Sequence, residues 1–144
     1  SSPNLSLAVA GEPLWPDCVT VDAQELSWYR ERQFPLLAWS SQARGFFSGR
    51  FSPDQRDIDL DVTRVFYSDD NWERLRRAQE LASRKDTTPT RIALAWVIRQ
   101  SLPTFALIGP LTPAELKDSL AALAVLLSAA DLRWLQQVRQ VTSA

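Results

Sequence analysis

The residues best suited to chemistry lie together in one stretch, LLAWSSQARGFF, from Leu36 to Phe47. Leu36, Leu37, Ala38 and Trp39 form a short apolar run of the kind found in a strand buried on both faces. The chain then turns polar through Ser40, Ser41, Gln42 and Arg44, and Gly45 gives the backbone a flexible point. Strand ends with small polar residues are where α/β folds place ligand contacts, and an indole such as Trp39 can position a flat ring. Each residue also has a plainer role: Trp39 as core, Ser40 and Gln42 as turn formers, Arg44 as a surface cation. Other chemistry is excluded by composition. With no His, neither a Ser-His-Asp site nor a His-based metal site can be built. One Cys and scattered carboxylates do not make a structural zinc site, and the four Gly form no phosphate-cradling loop.

The elements that must position this stretch follow from caps and periodicity. Ser1 to Ala10 is short, apolar and interrupted by Pro3, like a strand end running into a loop. Gly11 to Pro16, with two prolines, is irregular. Asp22 with Glu25 three residues on is a capping box, predicting a helix to about Gln33 that carries Tyr29. Pro35 starts the strand. Ser48 to Asp70 reads as a long polar loop, either a solvated connection or a lid. Asn71 to about Arg84 is helical, with Trp72, Leu75, Ala78 and Ala82 at helix spacing. Thr88 as N-cap and Pro89 at the first helical position open a largely buried helix through Ile92, Leu94, Ala95, Trp96 and Ile98. After Pro103, Phe105 to Ile108 is a short buried strand ending at Gly109. Thr112-Pro113-Ala114-Glu115 is a full capping box, followed by Leu116, Leu120 and Leu123 on one face. Ser128 and Asp131 cap a last helix with Leu132, Leu135 and Val138 facing inward. Such alternation predicts an α/β fold with a parallel sheet.

Three segments carry a resemblance. LLAWSSQARGFFSGRF resembles the seventh-strand segment of the aldo-keto reductases, TPTRIALAWVIRQ their helix before the last strand, and FALIGPLTPAELKDSLAAL with LSAADLRWL their last strand, cofactor helix and closing helix. The order is right, and the likeness covers nearly the whole chain but only the C-terminal part of that family's barrel. It implies a C-terminal portion of a (β/α)8 TIM barrel, incomplete in this chain, binding NAD or NADP. Trp39 matches the aromatic that stacks on the nicotinamide, and Ser40 and Gln42 match positions that approach the pyrophosphate, within reach of Arg44. Ser2 falls near the sixth-strand residue, commonly Gln, that holds the nicotinamide amide. Gly109, Leu111 and Glu115 stand where NADPH-preferring members clasp the 2′-phosphate, and Ser119 where the family often sets Asn against the adenine. No basic clasp is present there, so NADH is expected to serve at least as well as NADPH. The chain departs from the pattern at Ser41 and Gln42, which replace Pro-Leu, and at Trp39, which replaces a common Tyr. The family's acid–base set of Asp, Tyr, Lys and His comes from earlier strands. Nothing here matches it, and Tyr29 and Tyr67 sit in other contexts, so the resemblance assigns this chain no catalytic residue and no metal.

Length and composition agree with a part of such a barrel. A (β/α)8 barrel needs roughly 250 residues, and these 144 make at most one domain, read as residues 1–144. Without a Met, Ser1 is not expected to be a natural translation start. With 45% hydrophobic residues the chain can bury a core, and its net charge of −1 shows no footprint for nucleic acid. A lone Cys18, no apolar run near the roughly 18 residues of a membrane span and no signal-peptide pattern predict a cytoplasmic protein away from membranes. Two or three strands cannot close a barrel, so the expected partners are the missing N-terminal half or a second copy, with a small carbonyl substrate in the full-length protein. Two functions remain open: the cofactor-binding portion of an NAD(P)-dependent oxidoreductase, inactive by itself, or a non-enzymatic interaction module that kept the half-barrel.

Overall fold

The computed structural model describes residues 1–137. Two three-residue strands, β1 (Leu36–Ala38) and β2 (Thr104–Ala106), pair in parallel, Leu36 opposite Thr104 and Ala38 opposite Ala106. Extended chain continues the sheet beyond β1. Leu37 and Trp39 donate their N–H groups to the carbonyls of Ser1 (2.8 Å) and Pro3 (3.2 Å). On its far side Asn4 donates to Val19 (2.8 Å) and accepts from Val21 (3.0 Å). The described residues form a two-stranded sheet with these flanking bridges and do not close a barrel.

Helix α1 (Ala23–Arg32) starts where Asp22 and Glu25 exchange both halves of the capping box, at 2.7 and 3.0 Å. It stops at Gln33, whose φ of 50° is left-handed. The crossover from β1 to β2 corrects the expectation of one long loop. Ala43–Ser48 is a tight 3₁₀-like segment broken by left-handed backbone at Arg44 and Gly45, and α2 spans Leu60–Phe66. The Asp59 carboxylate accepts from the N–H groups of Asp61 and Val62, and Val62, Val65 and Phe66 are buried. Those three apolar positions at helical spacing were hidden among aspartates. Helix α3 (Asp69–Arg84) begins two residues earlier than expected, capped by Ser68, and α4 (Pro89–Ile98) opens with Thr88 accepting from Arg91 N–H. Residues 92–97 are all buried, as an apolar helix under a sheet requires.

The first strand was expected to be buried on both faces and the second to be buried, and neither is fully covered. Leu36 and Ala38 are buried, but Leu37 is 44% exposed and its register partner Phe105 is 57% exposed. Alternate strand residues face opposite sides, and only the side that meets the helices is covered among the described residues. Helix α5 (Pro113–Ala121) buries only Ser119, and Leu116, Leu120 and Leu123 are exposed. Its capping box is also incomplete. Thr112 Oγ1 accepts from Glu115 N–H at 3.2 Å, but the Glu115 carboxylate accepts from Leu111 N–H at 2.7 Å instead of from Thr112. Helix α6 (Ala129–Gln136) has both halves of the Ser128–Asp131 box, with Leu135 buried and Leu132 half-buried. Val138 lies outside the described residues.

Phe46, entering the core directly after the polar turn, packs its ring 4.8 Å from Trp72 and 5.4 Å from Phe47. Beside this cluster the fully buried Asn71 ties three segments together. Its Oδ1 accepts from Val9 N–H and from an Arg74 Nη1 (both 2.9 Å), and its Nδ2 donates to the carbonyls of Val9 (2.8 Å) and Phe66 (2.9 Å).

Candidate functional site

The candidate site lies at the C-terminal ends of the parallel strands, where the ladder stops and side chains take over. The last ladder bond runs from Leu107 N–H to Ala38 C=O at 2.9 Å. Trp39 follows, half-buried, its ring 5.3 Å from Trp15 at a tilt of 35°. Its carbonyl accepts from Asn4 Nδ2 at 3.1 Å, so the turn starts from a clamped position.

The turn itself is left-handed over much of its length. Ser40, Ala43 and Arg44 have φ of 48°, 49° and 51°, and Gly45 has 82°. For a residue with a Cβ this conformation costs roughly 1–2 kcal/mol, and only Gly45 escapes that cost. The turn is held by Ala43 N–H to Ser40 C=O (2.8 Å) and Gly45 N–H to Gln42 C=O (3.0 Å). Side chains then bind it to the second strand and to α5. Ser41 Oγ donates to Leu107 C=O at 2.9 Å, and Gln42 Nε2 donates to Ser119 Oγ at 3.2 Å.

The structure thus brings Trp39, Ser40, Gln42 and Ser119 to one strand-end region. Ser2 lies on the neighbouring extended segment, its exposed hydroxyl donating to Leu37 C=O at 3.1 Å. Arg44 is turned toward carboxylates, 3.6 Å from Asp59 and 3.9 Å from Asp61 at the start of α2. Gly109 is exposed, and a Cβ added there would meet open space. Leu111 is 91% exposed, and its N–H holds Glu115. Also on α5, Asp118 pairs with Arg91 at 2.6 Å. A groove of about 560 Å³ lined by Arg56, Tyr67, Trp72 and Arg76, among others, includes none of the candidate residues.

Sequence reasoning missed Ser41 and Trp15 as parts of this region. Ser41 was noted only as a replacement for proline. The available signal was a hydroxyl two residues beyond a buried strand, where a ladder ends and a carbonyl is left to satisfy.

Comparison with known proteins fits this arrangement. The sequence profile of the Aldo/keto reductase family matches residues 19–140. This chain belongs to the aldo-keto reductase family. "Probable aldo-keto reductase 1" of Glycine max is 31% identical over 109 residues, covering 72% of this chain and 32% of that protein. The chain therefore spans about a third of the length of that aldo-keto reductase. Among solved structures, a thermostable aldo-keto reductase in complex with the inhibitor epalrestat superposes with a TM-score of 0.60 at 17% identity, over 94% of this chain and 38% of that one. At that identity the likeness speaks for the α/β fold. Among the described residues no helix is long and apolar enough to cross a membrane.

Proposed function

We propose that this chain is the C-terminal, cofactor-binding portion of an NAD(P)-dependent aldo-keto reductase-like oxidoreductase that reduces aldehydes or ketones in the cytoplasm. The observation that carries the reading is the Gln42–Ser119 hydrogen bond, which joins the turn after β1 to α5 across 77 positions of sequence. Two segments matching a dinucleotide's pyrophosphate and adenine positions are thereby adjacent at the C-terminal ends of parallel strands, where α/β folds bind ligands.

The residues fit the group. Trp39 offers a half-buried aromatic surface for the nicotinamide ring. The turn from Ser40 to Gly45 leaves backbone N–H groups other than those of Ala43 and Gly45 for the pyrophosphate, and Ser119 matches the position the family sets against the adenine. The nicotinamide supplies the hydride when bound. This chain's part is to orient the cofactor and exclude water behind it; the proton donor comes from residues it does not contain. The partner we assign is an N-terminal barrel half, in keeping with the exposed Leu37, Phe105 and Leu107 at the sheet, Leu116 and Leu120 on α5 and Leu123 just after it.

Steady-state assays with NADH or NADPH and reactive aldehydes test the division of labour. The 144-residue polypeptide alone is expected to show no turnover, because loss of general acid catalysis removes roughly 10²–10⁴-fold and loss of hydride positioning removes more. Cofactor-dependent turnover by the pure polypeptide well above background refutes it.

A further inference from the structure

We propose that Ser41 is a positioning residue for the dinucleotide, an inference that rests on the cofactor-binding reading above. Its side chain is 1% exposed, so it is not placed to touch a ligand. Its hydroxyl donates instead to Leu107 C=O at 2.9 Å, immediately beyond the last ladder bond from Leu107 N–H to Ala38 C=O. Leu107 is thus gripped through both backbone polar groups, one by the strand and one by the side chain that follows it. The bond sets the distance between the two loops that would close on one cofactor, the turn after β1 and the loop leading to α5.

Two further observations give that bond its use. Three of the turn's residues other than glycine, Ser40, Ala43 and Arg44, adopt left-handed φ. Such backbone persists only where its surroundings over-determine it, and it concentrates at ligand clamps. Ser41 sits inside this run, between Ser40 and Ala43, and anchors it to Leu107, the residue after β2, while the adjacent Gln42 anchors it to α5. The second observation is chemical. Proline and leucine, the residues that Ser41 and Gln42 replace in the family pattern, have no side-chain donor. A proline restricts its own φ; Ser41 replaces that restriction with a hydrogen bond across the strands. The turn is tied here to its neighbours by two side-chain hydrogen bonds.

The test uses the full-length protein. Binding of NADH and of NADPH is measured by equilibrium fluorescence titration for wild type, Ser41→Ala and Ser41→Thr, with thermal melting in parallel. Loss of one buried hydrogen bond corresponds to about a 3- to 10-fold change. Ser41→Ala is expected to raise Kd for both dinucleotides by about that factor, leave KM for the carbonyl substrate unchanged, and be recovered by Ser41→Thr, which keeps the hydroxyl. A merely structural serine would lower the melting temperature without moving Kd, and that result overturns the proposal. If Ser41→Ala does not fold, Ser41→Cys, with similar volume and a weaker donor, carries the same test: a raised Kd supports the role and an unchanged one overturns it. Wild type that binds neither dinucleotide overturns the cofactor reading and this inference together. Wild type that binds, with Ser41→Ala binding equally, overturns the role of Ser41 alone.

Discussion

Asn71→Ala should be among the most damaging substitutions in the described residues, and the hydrogen-bond geometry sets the size of the effect. The amide makes four bonds at 2.8–2.9 Å, two of them to Val9 and one each to Phe66 and Arg74. Val9 is half exposed, so its N–H and C=O can turn to water after the amide is removed. The other two partners cannot. Phe66 is fully buried, and Arg74 is only 5% exposed, with its Nε already lacking a partner. Burial holds the Arg74 pKa below its ordinary value, the direction expected for a cation short of compensation. A buried carbonyl left unsatisfied costs about 1–3 kcal/mol and a lost bond to a buried charge about 1.5–3. The expected loss is therefore about 3–5 kcal/mol, read as a shift in urea midpoint at constant slope. Arg74→Met provides the control. In that background Asn71→Ala should cost about 1.5–2 kcal/mol less, because the stranded guanidinium is gone. A loss below about 1 kcal/mol for Asn71→Ala, or additivity of the two changes, would show that the Val9–Asn71–Arg74 connection does not support the fold.

Three further outcomes are expected. Trp39→Ala in the full-length protein should weaken dinucleotide binding by about 1–3 kcal/mol, the scale of stacking losses; a folded variant with unchanged affinity would reduce Trp39 to a packing partner of Trp15. NADH should bind at least as tightly as NADPH at one salt concentration, because the nearby arginines are committed, Arg44 to Asp59 and Asp61 and Arg91 to Asp118; NADPH binding more than tenfold tighter refutes this. Hydrogen bonds from Arg76 and Arg77 hold the Glu73 carboxyl at about 2, below its ordinary range. A depressed folded pKa means stability present above the unfolded value and lost as pH falls from about 4.5 toward 2. Glu73→Gln should thus cost about 0.5–1 kcal/mol at pH 7, the range for solvent-screened pairs, and little at pH 2; an equal cost at both pH values would remove the ion pairs as its cause.

Helix starts were legible in the sequence because a cap is a bond between residues three apart. Asp22 with Glu25, Thr88 with Arg91, and Ser128 with Asp131 each form as their spacing requires. The order of the last segments, and with it the family, was legible for the same reason: short motifs keep their local geometry. Where a local rule had two ways of being satisfied, the sequence could not choose. Glu115 was expected to complete a box with Thr112 and instead accepts from Leu111 one residue earlier. Helix α2 escaped notice because six aspartates from Asp54 to Asp70 outweighed three apolar positions in the composition of that stretch.

What only the tertiary structure decided depends on which residues meet across long separations. Leu37 and Phe105 read as core from their types alone, but burial is a property of what lies opposite, and no described element covers that face of the sheet. Arg44 carries a charge suited to phosphate, yet its partners are Asp59 and Asp61, brought near by a helix that the sequence reading lacked. Ser41 and Leu107, or Gln42 and Ser119, are too far apart for any periodicity to relate them. By itself the sequence determined the caps, the apolar strand runs and the motifs that match the family, because side-chain chemistry and local backbone preference are properties of short segments. That the turn after β1 meets Leu107 and α5 was decided by the parallel pairing of β1 with β2, since a strand ladder sets the register between segments that the chain separates.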